Sequence, residues 1–331
     1  MVSFSIIIIT HGREDLLLKC LESLHPAVEN WQLILVANGI PLSDSTISRA
    51  NTLTSEVAIL DLPSRQSPGK AKNLARELVK YEWTFFLGED VYLLPKYFET
   101  VLPILSQNKV DVLGGPDIPA KKMNYLAEAH AMALSSPFCT GKTFARHRSF
   151  GKLLESTDEK KLSSRNLWVR SALFNDLRFP EDYLQNEEIS VLLDLEGHGA
   201  KIFYHPLLMV GHFRSSNIAS IFSSSFLSGF YRSQIIKEKS ISGEFHFWLP
   251  SIFVLGHLLV IFYPYWFLFF GRLYFCLILM MGLSLASRRR NILLFPMITF
   301  FHYFIVFSYG LGFLSYRLGY RGKIIDIKSS T

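Results

Sequence analysis

The sequence predicts an α/β domain built on a doubly wound, mostly parallel sheet, followed by an apolar membrane region. Three observations carry that expectation. Short apolar runs alternate with helical patterns over residues 3–115, as buried parallel strands and their crossovers do. The run Trp83-Thr84-Phe85-Phe86-Leu87-Gly88-Glu89-Asp90 ends abruptly in two adjacent carboxylates, the pattern of a buried strand delivering acid groups into a cleft. From residue 245 to residue 322 there is no Asp, Glu or Lys, and the charged residues are all arginines.

The elements follow in order. Residues 4–10 read as a strand and 15–24 as a helix. Residues 33–37 are a second strand, with Asn38-Gly39 turning out of it, and 57–60 a weaker third. Residues 67–80 open with Pro68-Gly69 and show helical spacing at Leu74, Leu78 and Val79. Residues 83–87 are the next strand, 95–108 a helix, and 110–113 a strand ending in Gly114-Gly115-Pro116. Beyond Asp117 the pattern is less regular. Residues 125–134 read as a helix, 138–162 as a polar, mobile loop and 166–169 as a short strand. Residues 183–196 form a helix stopped by Gly197 and Gly199, and 201–204 a strand broken by His205-Pro206.

At 331 residues there is room for one large domain or two. The expected division is a soluble domain over 1–217, an interface helix and linker over 218–245, and a membrane domain over 246–331 with two or three segments and a short basic tail. Ile6-Ile7-Ile8-Ile9 has no basic residue before it and runs straight into charged residues, so no signal peptide is expected and the first domain belongs in the cytosol. Cys20, Cys139 and Cys276 are too scattered for a disulfide framework or a CxxC metal site. Net charge is +6 without interleaved exposed aromatics, which argues against a nucleic-acid partner and for anionic lipid head groups.

Residues 218–239 place Ile221, Phe222, Leu227, Phe230 and Tyr231 among serines, ahead of Arg232, Lys237 and Lys239. That suits an amphipathic helix in the membrane interface, or one packed on the soluble domain. Residues 249–287 contain Arg272 as their one charge and as a single helix would run about 58 Å, too long for one simple crossing. Tyr263-Pro264-Tyr265-Trp266 suits an interfacial break, and residues 292–316 suffice for one crossing. With Arg288, Arg289 and Arg290 in the cytosol, 249–287 becomes a hairpin and the basic tail (Arg317, Arg321, Lys323, Lys328) lies outside. With the tail inside, there are two crossings, and both topologies stay open. His302 is expected to pack within the helices or near an interface.

Four strand ends point to one cleft: Thr10-His11-Gly12-Arg13, Asn38-Gly39, Gly88-Glu89-Asp90 and Gly114-Gly115. Polar groups and glycines at adjacent strand ends make a nucleotide-sized site with close backbone approach. Lys70, Lys72 and Asn73 open a helix near that edge, where basic side chains meet a diphosphate. Acid groups there hold a divalent cation against phosphate. A solvated turn is the plainer reading of the same acids.

The motifs Ser5-Ile6-Ile7-Ile8-Ile9-Thr10-His11-Gly12-Arg13, Leu35-Val36-Ala37-Asn38-Gly39, Gly69-Lys70-Ala71-Lys72-Asn73-Leu74-Ala75 and Phe86-Leu87-Gly88-Glu89-Asp90 come in that order. Asn166-Leu167-Trp168-Val169-Arg170, Asn186-Glu187-Glu188 with Gly199-Ala200-Lys201-Ile202, and Val210-Gly211-His212 follow them. Together they resemble glycosyltransferase family 2, inverting sugar transferases of the Rossmann-like GT-A fold, over about residues 3–240. The resemblance implies Thr10, Arg13, Asn38, Lys72, Asn73, Glu89, Asp90, Gly115 and Asn166 as substrate-binding residues. It implies Asp90 and His212 as ligands of Mg2+ or Mn2+, and Glu188, with Glu187 beside it, as the catalytic carboxylate.

Three departures stand out. Ala37 replaces an Asp that contacts the base in many members, and Gly88 replaces the first Asp of the Asp-x-Asp metal motif. Glu188 replaces the usual Asp base and is one methylene longer with the same proton chemistry. The implied mechanism is a single displacement, with metal against the departing nucleotide diphosphate and a carboxylate taking the acceptor's proton. Glu187 and Glu188 lie about 100° apart on a helix, so both do not face one substrate atom. A solvated glutamate pair at a helix N-terminus is the alternative.

The C-terminal region resembles that of bacterial surface-polysaccharide transferases, where His302-Tyr303 and Tyr309-Gly310-Leu311-Gly312-Phe313 recur in similar order. This implies an enzyme of the bacterial inner membrane with a cytosolic catalytic domain, taking a nucleotide diphosphate sugar as donor and a lipid-linked or glycan acceptor. No Gln-x-x-Arg-Trp motif is present, so a processive synthase is not expected. Gly88 and Ala37 motivate the other reading, a non-catalytic nucleotide-sugar-binding partner in a glycan assembly.

Overall fold

A computed structural model describes residues 2–26, 28–242, 244–259 and 263–320. Arg321, Lys323 and Lys328 of the basic tail lie outside the described residues. Strands β1 (Phe4–Thr10), β2 (Trp31–Asn38), β3 (Val57–Leu62) and β4 (Trp83–Gly88) run parallel in the order β3-β2-β1-β4. β5 (Val91–Leu93) leaves this sheet, which continues through β8 (Asn166–Arg170), β6 (Val112–Gly114) and β9 (Ile202–Tyr204). β8 is antiparallel to both β4 and β6, so the mostly parallel sheet carries one reversed strand. In β1, Thr10 pairs with Ala37 of β2 and Ile9 with Gly88 of β4. That register brings the turns after β1, β2 and β4 to one edge.

The strands are apolar on both faces because helices cover both faces. Ile6, Ile8, Leu33, Leu35 and Phe85 pack with α1 (Glu14–Glu22), α2 (Asp44–Asn51) and α4 (Tyr97–Ser106). Ile7, Ile34, Val36 and Phe86 pack with α3 (Pro68–Arg76) and α7 (Glu187–Gly197). The Phe85 and Trp168 rings stack at 4.2 Å between centroids, joining β4 to β8.

Local chemistry sets the helix starts. Ser67 Oγ accepts from Lys70 N and Pro68 takes the first turn of α3. The sequence reading passed over α2, which Ser43 caps while Glu14 accepts from both the N–H and the hydroxyl of Ser43 at 2.6 Å. α7 begins four residues later than expected because Asn186 is left-handed, φ 66°, a conformation that cannot continue a right-handed helix. The late start places Glu187 and Glu188 in the first turn. The stretch 138–162 contains α6 from Pro137 to Thr140, 3-10 turns at Gly141–Arg146 and Glu159–Lys161, and a bridge from Leu154 to Tyr204.

β5, β10 (Val210–His212) and β7 (Asp117–Pro119) form a second small sheet. Strands of three residues are too short to show alternation, so this sheet was not foreseen. It is close-packed: a Cβ on Gly211 would lie 2.2 Å from the Tyr92 ring.

The chain divides into two units, residues 2–121 with 145–213, and residues 122–144 with 214–320. The second contains α5 (Tyr125–Leu134), α8 (Ile218–Glu238), α9 (Leu249–Leu259), α10 (Pro264–Arg288) and α11 (Phe295–Arg317). The apolar stretch 249–287 is thus shared between two helices, with Pro264 in the first turn of the second. Gly271–Arg288 and Ile292–Arg317 are long and apolar enough to cross a membrane. His302 is buried, its Nδ1 2.8 Å from the Ile298 carbonyl one turn earlier.

α8 packs lengthwise on α11 and is buried on several faces, at Ile221, Leu227, Tyr231, Arg232 and Ile235. Glycines permit the approach. A Cβ on Gly312 would lie 1.9 Å from the Phe226 carbonyl oxygen, and one on Gly229 would lie 2.0 Å from that of Tyr309. Gly312→Leu is therefore expected to destabilise the helical unit by about 1–3 kcal/mol, as overpacking does. Thermal unfolding in detergent reads this, and an unchanged midpoint would contradict the packing.

Candidate active site

The edge shared by the turns after β1 and β4 is where the charged groups meet. Glu89 turns back toward β1: Oε2 accepts from the His11 N–H at 3.3 Å, and Oε1 from Arg13 Nε at 2.8 Å and Nη2 at 2.5 Å. This charge-assisted fork fixes Arg13 against the turn. Asp90 faces three cationic or ionisable groups. Its Oδ2 lies 3.4 Å from Arg13 Nη2 and 3.4 Å from His212 Nε2, and its Oδ1 3.6 Å from Arg165 Nε. Burial opposes charge on Asp90, but His212, Arg165 and Arg13 together hold its carboxyl well below the usual range.

The cluster continues through the small sheet. β10 carries His212 and β7 begins at Asp117. His212 Nδ1 lies 3.4 Å from Asp117 Oδ2, and Asp117 Oδ1 lies 2.8 Å from His147 Nδ1. Asp117 thus lies beside Nδ1 of His212 and Asp90 beside Nε2, the arrangement of a histidine whose Nε2 would be turned to a cation held by Asp90. Asp90 and His212 therefore fit a divalent cation that keeps water and phosphate oxygens as its other ligands. Among the described residues no group of three or more His, Cys, Asp or Glu side chains is placed to hold a metal ion by itself.

α7 supplies the second acidic group. Lys72 Nζ donates to Glu187 Oε1 in a very short buried contact, beneath the Phe86 and Phe179 rings at 5.9 and 5.1 Å. Glu188 turns the other way, its Oε1 3.8 Å from Arg146 Nη1. Burial, and then the neighbouring Glu187 charge, push the Glu188 carboxyl above its ordinary range, against Arg146 and Lys72. Burial opposes the charge on Arg165, yet Asp90, Asp117 and Glu188 keep it cationic, so both acidic groups act on one guanidinium. One carboxyl is pushed down and another up, the environmental split that separates an anionic binding group from a proton acceptor.

Several expected ligand-binding residues are also held by the chain itself. Asn38 clips the chain after β3: its Nδ2 donates to the Gln66 carbonyl at 3.0 Å and its Oδ1 accepts from Gln66 N at 2.7 Å. Asn73 Nδ2 donates to the Phe179 carbonyl at 2.9 Å while its Oδ1 accepts from Phe179 N at 3.0 Å. Asn166 is fully buried, donates to the Leu208 carbonyl at 2.7 Å and accepts from the Tyr97 hydroxyl. A Cβ on Gly115 would lie 2.0 Å from the Leu208 carbonyl oxygen, so chain packing already requires glycine there. Lys72 is paired with Glu187. Thr10 is buried, and its hydroxyl has no hydrogen-bond partner among the described residues.

The structure thus gathers Arg13, Glu89, Asp90 and His212 at one edge and links that edge electrostatically to Glu188. Sequence reasoning missed Asp117, Arg146, His147 and Arg165. Arg165 adjoins Asn166 and Asp117 lies two residues beyond Gly115, and that nearness was the signal available.

Residues 5–160 match the family model described as glycosyl transferase family 2. The chain carries a glycosyl transferase family 2 domain. The match includes the turns of this glycosyltransferase domain that bear Arg13, Asn38, Glu89 and Asp90, while Glu187, Glu188 and His212 follow it in the chain. No curated protein matches the chain. Among solved structures, S. aureus TarS 1–349 is similar at 16% identity and a TM-score of 0.48, covering 96% of this chain and 92% of that one. A longer S. aureus TarS crystal structure is 15% identical with a TM-score of 0.48, covering 90% of this chain and 55% of that one.

Proposed function

We propose that this glycosyltransferase is a membrane-bound inverting enzyme. It moves a sugar from a nucleotide diphosphate sugar to a lipid-linked or glycan acceptor in cell-surface polysaccharide biosynthesis, working at the cytosolic face of a bacterial inner membrane. The observation carrying the reading is the opposed setting of Asp90, held anionic, and Glu188, held ready for a proton. Two helices apolar enough to cross a membrane support the location.

In this reading Glu188 accepts the acceptor hydroxyl's proton as the new glycosidic bond forms. The Lys72–Glu187 pair fixes the first turn of α7 and so the place from which Glu188 reaches. Glu89 locks Arg13 beside Asp90, keeping a guanidinium at the strand edge. Asp90 and His212 would hold Mg2+ or Mn2+, which would supply positive charge against the diphosphate. The full-length protein in detergent, with Mg2+ or Mn2+ and a panel of nucleotide sugars, is expected to bind at least one donor in a metal-dependent way. Binding of none defeats the reading.

Asp90→Asn is expected to weaken donor binding about 10- to 100-fold with metal present, at least the effect of losing a group that merely supports a metal ligand. In EDTA no loss is expected. Equal loss under both conditions assigns Asp90 a structural role. Gly88, without a carboxylate, favours one second reading, a partner subunit that binds nucleotide sugar without catalysis. Donor binding without turnover on any acceptor would select it.

A further inference from the structure

Gly88 lacks the side chain of a two-carboxylate turn, and the structure fills that room. A Cβ on Gly88 would lie 3.0 Å from Arg165 Cγ, 3.3 Å from Arg165 Cβ and 3.0 Å from Asp90 Oδ1. The chain is fastened there as well, with Gly88 N donating to the Arg165 carbonyl at 3.2 Å. The stem of Arg165 therefore packs directly against the open side of Gly88, and a side chain at position 88 would have to push it aside.

The side chain so placed is partly open to solvent. Arg165 is 39% exposed, and among the described residues its side chain makes no hydrogen bond; its ion-pair contact is Asp90 Oδ1 at 3.6 Å. Arg13, on the other side of Asp90, already donates Nε and Nη2 to Glu89. Compared with a turn bearing carboxylates at 88 and 90, this edge has one negative charge fewer, and Arg165 packs against the glycine in its place. A planar guanidinium with unused N–H groups matches the oxygens of a diphosphate.

We propose that Arg165, seated in the room left by Gly88, binds the diphosphate of the donor, so that diphosphate binding has a component independent of divalent metal. This rests on the reading that the strand edge is a nucleotide diphosphate sugar site. The metal-free component distinguishes Arg165 from a residue that only positions Asp90, whose contribution would pass through the cation.

The test is calorimetric titration of the full-length protein in detergent with inorganic pyrophosphate in EDTA, a probe that needs no knowledge of the base. Wild type is expected to bind, and Arg165→Met and Arg165→Gln to bind about 10- to 100-fold more weakly, the range for a charge-assisted hydrogen bond. Arg165→Lys retains part of the affinity, because it keeps the charge and loses the fork. Gly88→Asp displaces the Arg165 stem and leaves binding that requires Mg2+. Thermal midpoints identify any variant that has not folded, and the Met and Gln variants serve as replacements for one another. Absence of metal-free binding in wild type, or equal affinity in a folded Met or Gln variant, overturns the assignment. Nucleotide-sugar binding with Mg2+ is measured alongside. Its failure in wild type defeats the donor-site reading, whereas its success with unaltered metal-free binding in the Arg165 variants defeats this inference alone.

Discussion

Glu188→Gln is expected to lower transfer by about 10²- to 10⁴-fold, the contribution of a positioned general base, with donor binding retained. The amide keeps the shape of the carboxyl and removes its capacity to take a proton. Burial and the adjacent Glu187 hold the Glu188 carboxyl above its ordinary range, so the acid limb of the wild-type pH–rate profile should lie above that of an exposed glutamate. An amide at this position has no such titration, and the limb should vanish from the residual rate. Stability should move the opposite way. A carboxyl whose folded pKa is raised favours the folded state at low pH, and that advantage is lost as pH rises through the raised value. Glu188→Gln should therefore melt at or above wild type at pH 8, with the difference shrinking on acidification. Unchanged turnover would remove Glu188 as the base. A lower midpoint at pH 8 would mean that Arg146, 3.8 Å away, outweighs the burial and the like charge.

The part of the fold that sequence reveals is the part whose strands are buried on both faces. β1, β2 and β4 are long apolar runs closed by turn residues, and their parallel order follows from the helices between them. The reversal of β8 and the pairing of β5, β7 and β10 depend on contacts between distant segments. The site divides in the same way. Asp90, His212 and Glu188 stand at element ends and could be read as candidates. Arg165 acquires its meaning from Gly88, across the antiparallel β4–β8 pairing, which no local pattern records. The clamping bonds of Asn73 and Asn166 were not legible for a related reason. An amide that suits a ligand also suits a backbone clamp, since it donates and accepts at once, and the clamp partners come from distant segments. Glu187 and Glu188 were distinguishable only by angle, and their opposite partners, Lys72 and Arg146, come from separate segments.

Lys72→Met is expected to destabilise the glycosyltransferase domain by about 3–5 kcal/mol, the usual effect of removing one member of a buried ion pair. Lys72 and Glu187 have side chains 8% and 5% exposed, so water does not replace the missing cation. The effect arises from the carboxylate left behind rather than from the net strength of the pair. Replacing both partners, as in Lys72→Met with Glu187→Leu, should recover most of the loss, because the Met stem keeps the packing beneath Phe86 and Phe179. If the double variant is no more stable than Lys72→Met, the pair does not act as a unit. A second readout separates this electrostatic role from simple packing. Lys72 is one of the charges holding the Glu188 carboxyl down, so the acid limb of any residual transfer in Lys72→Met should shift to higher pH. A purely structural lysine would lower the melting midpoint and leave that limb where it was. The expected shift would tie the helix-start lysine to the protonation of Glu188 through α7, a role distinct from packing.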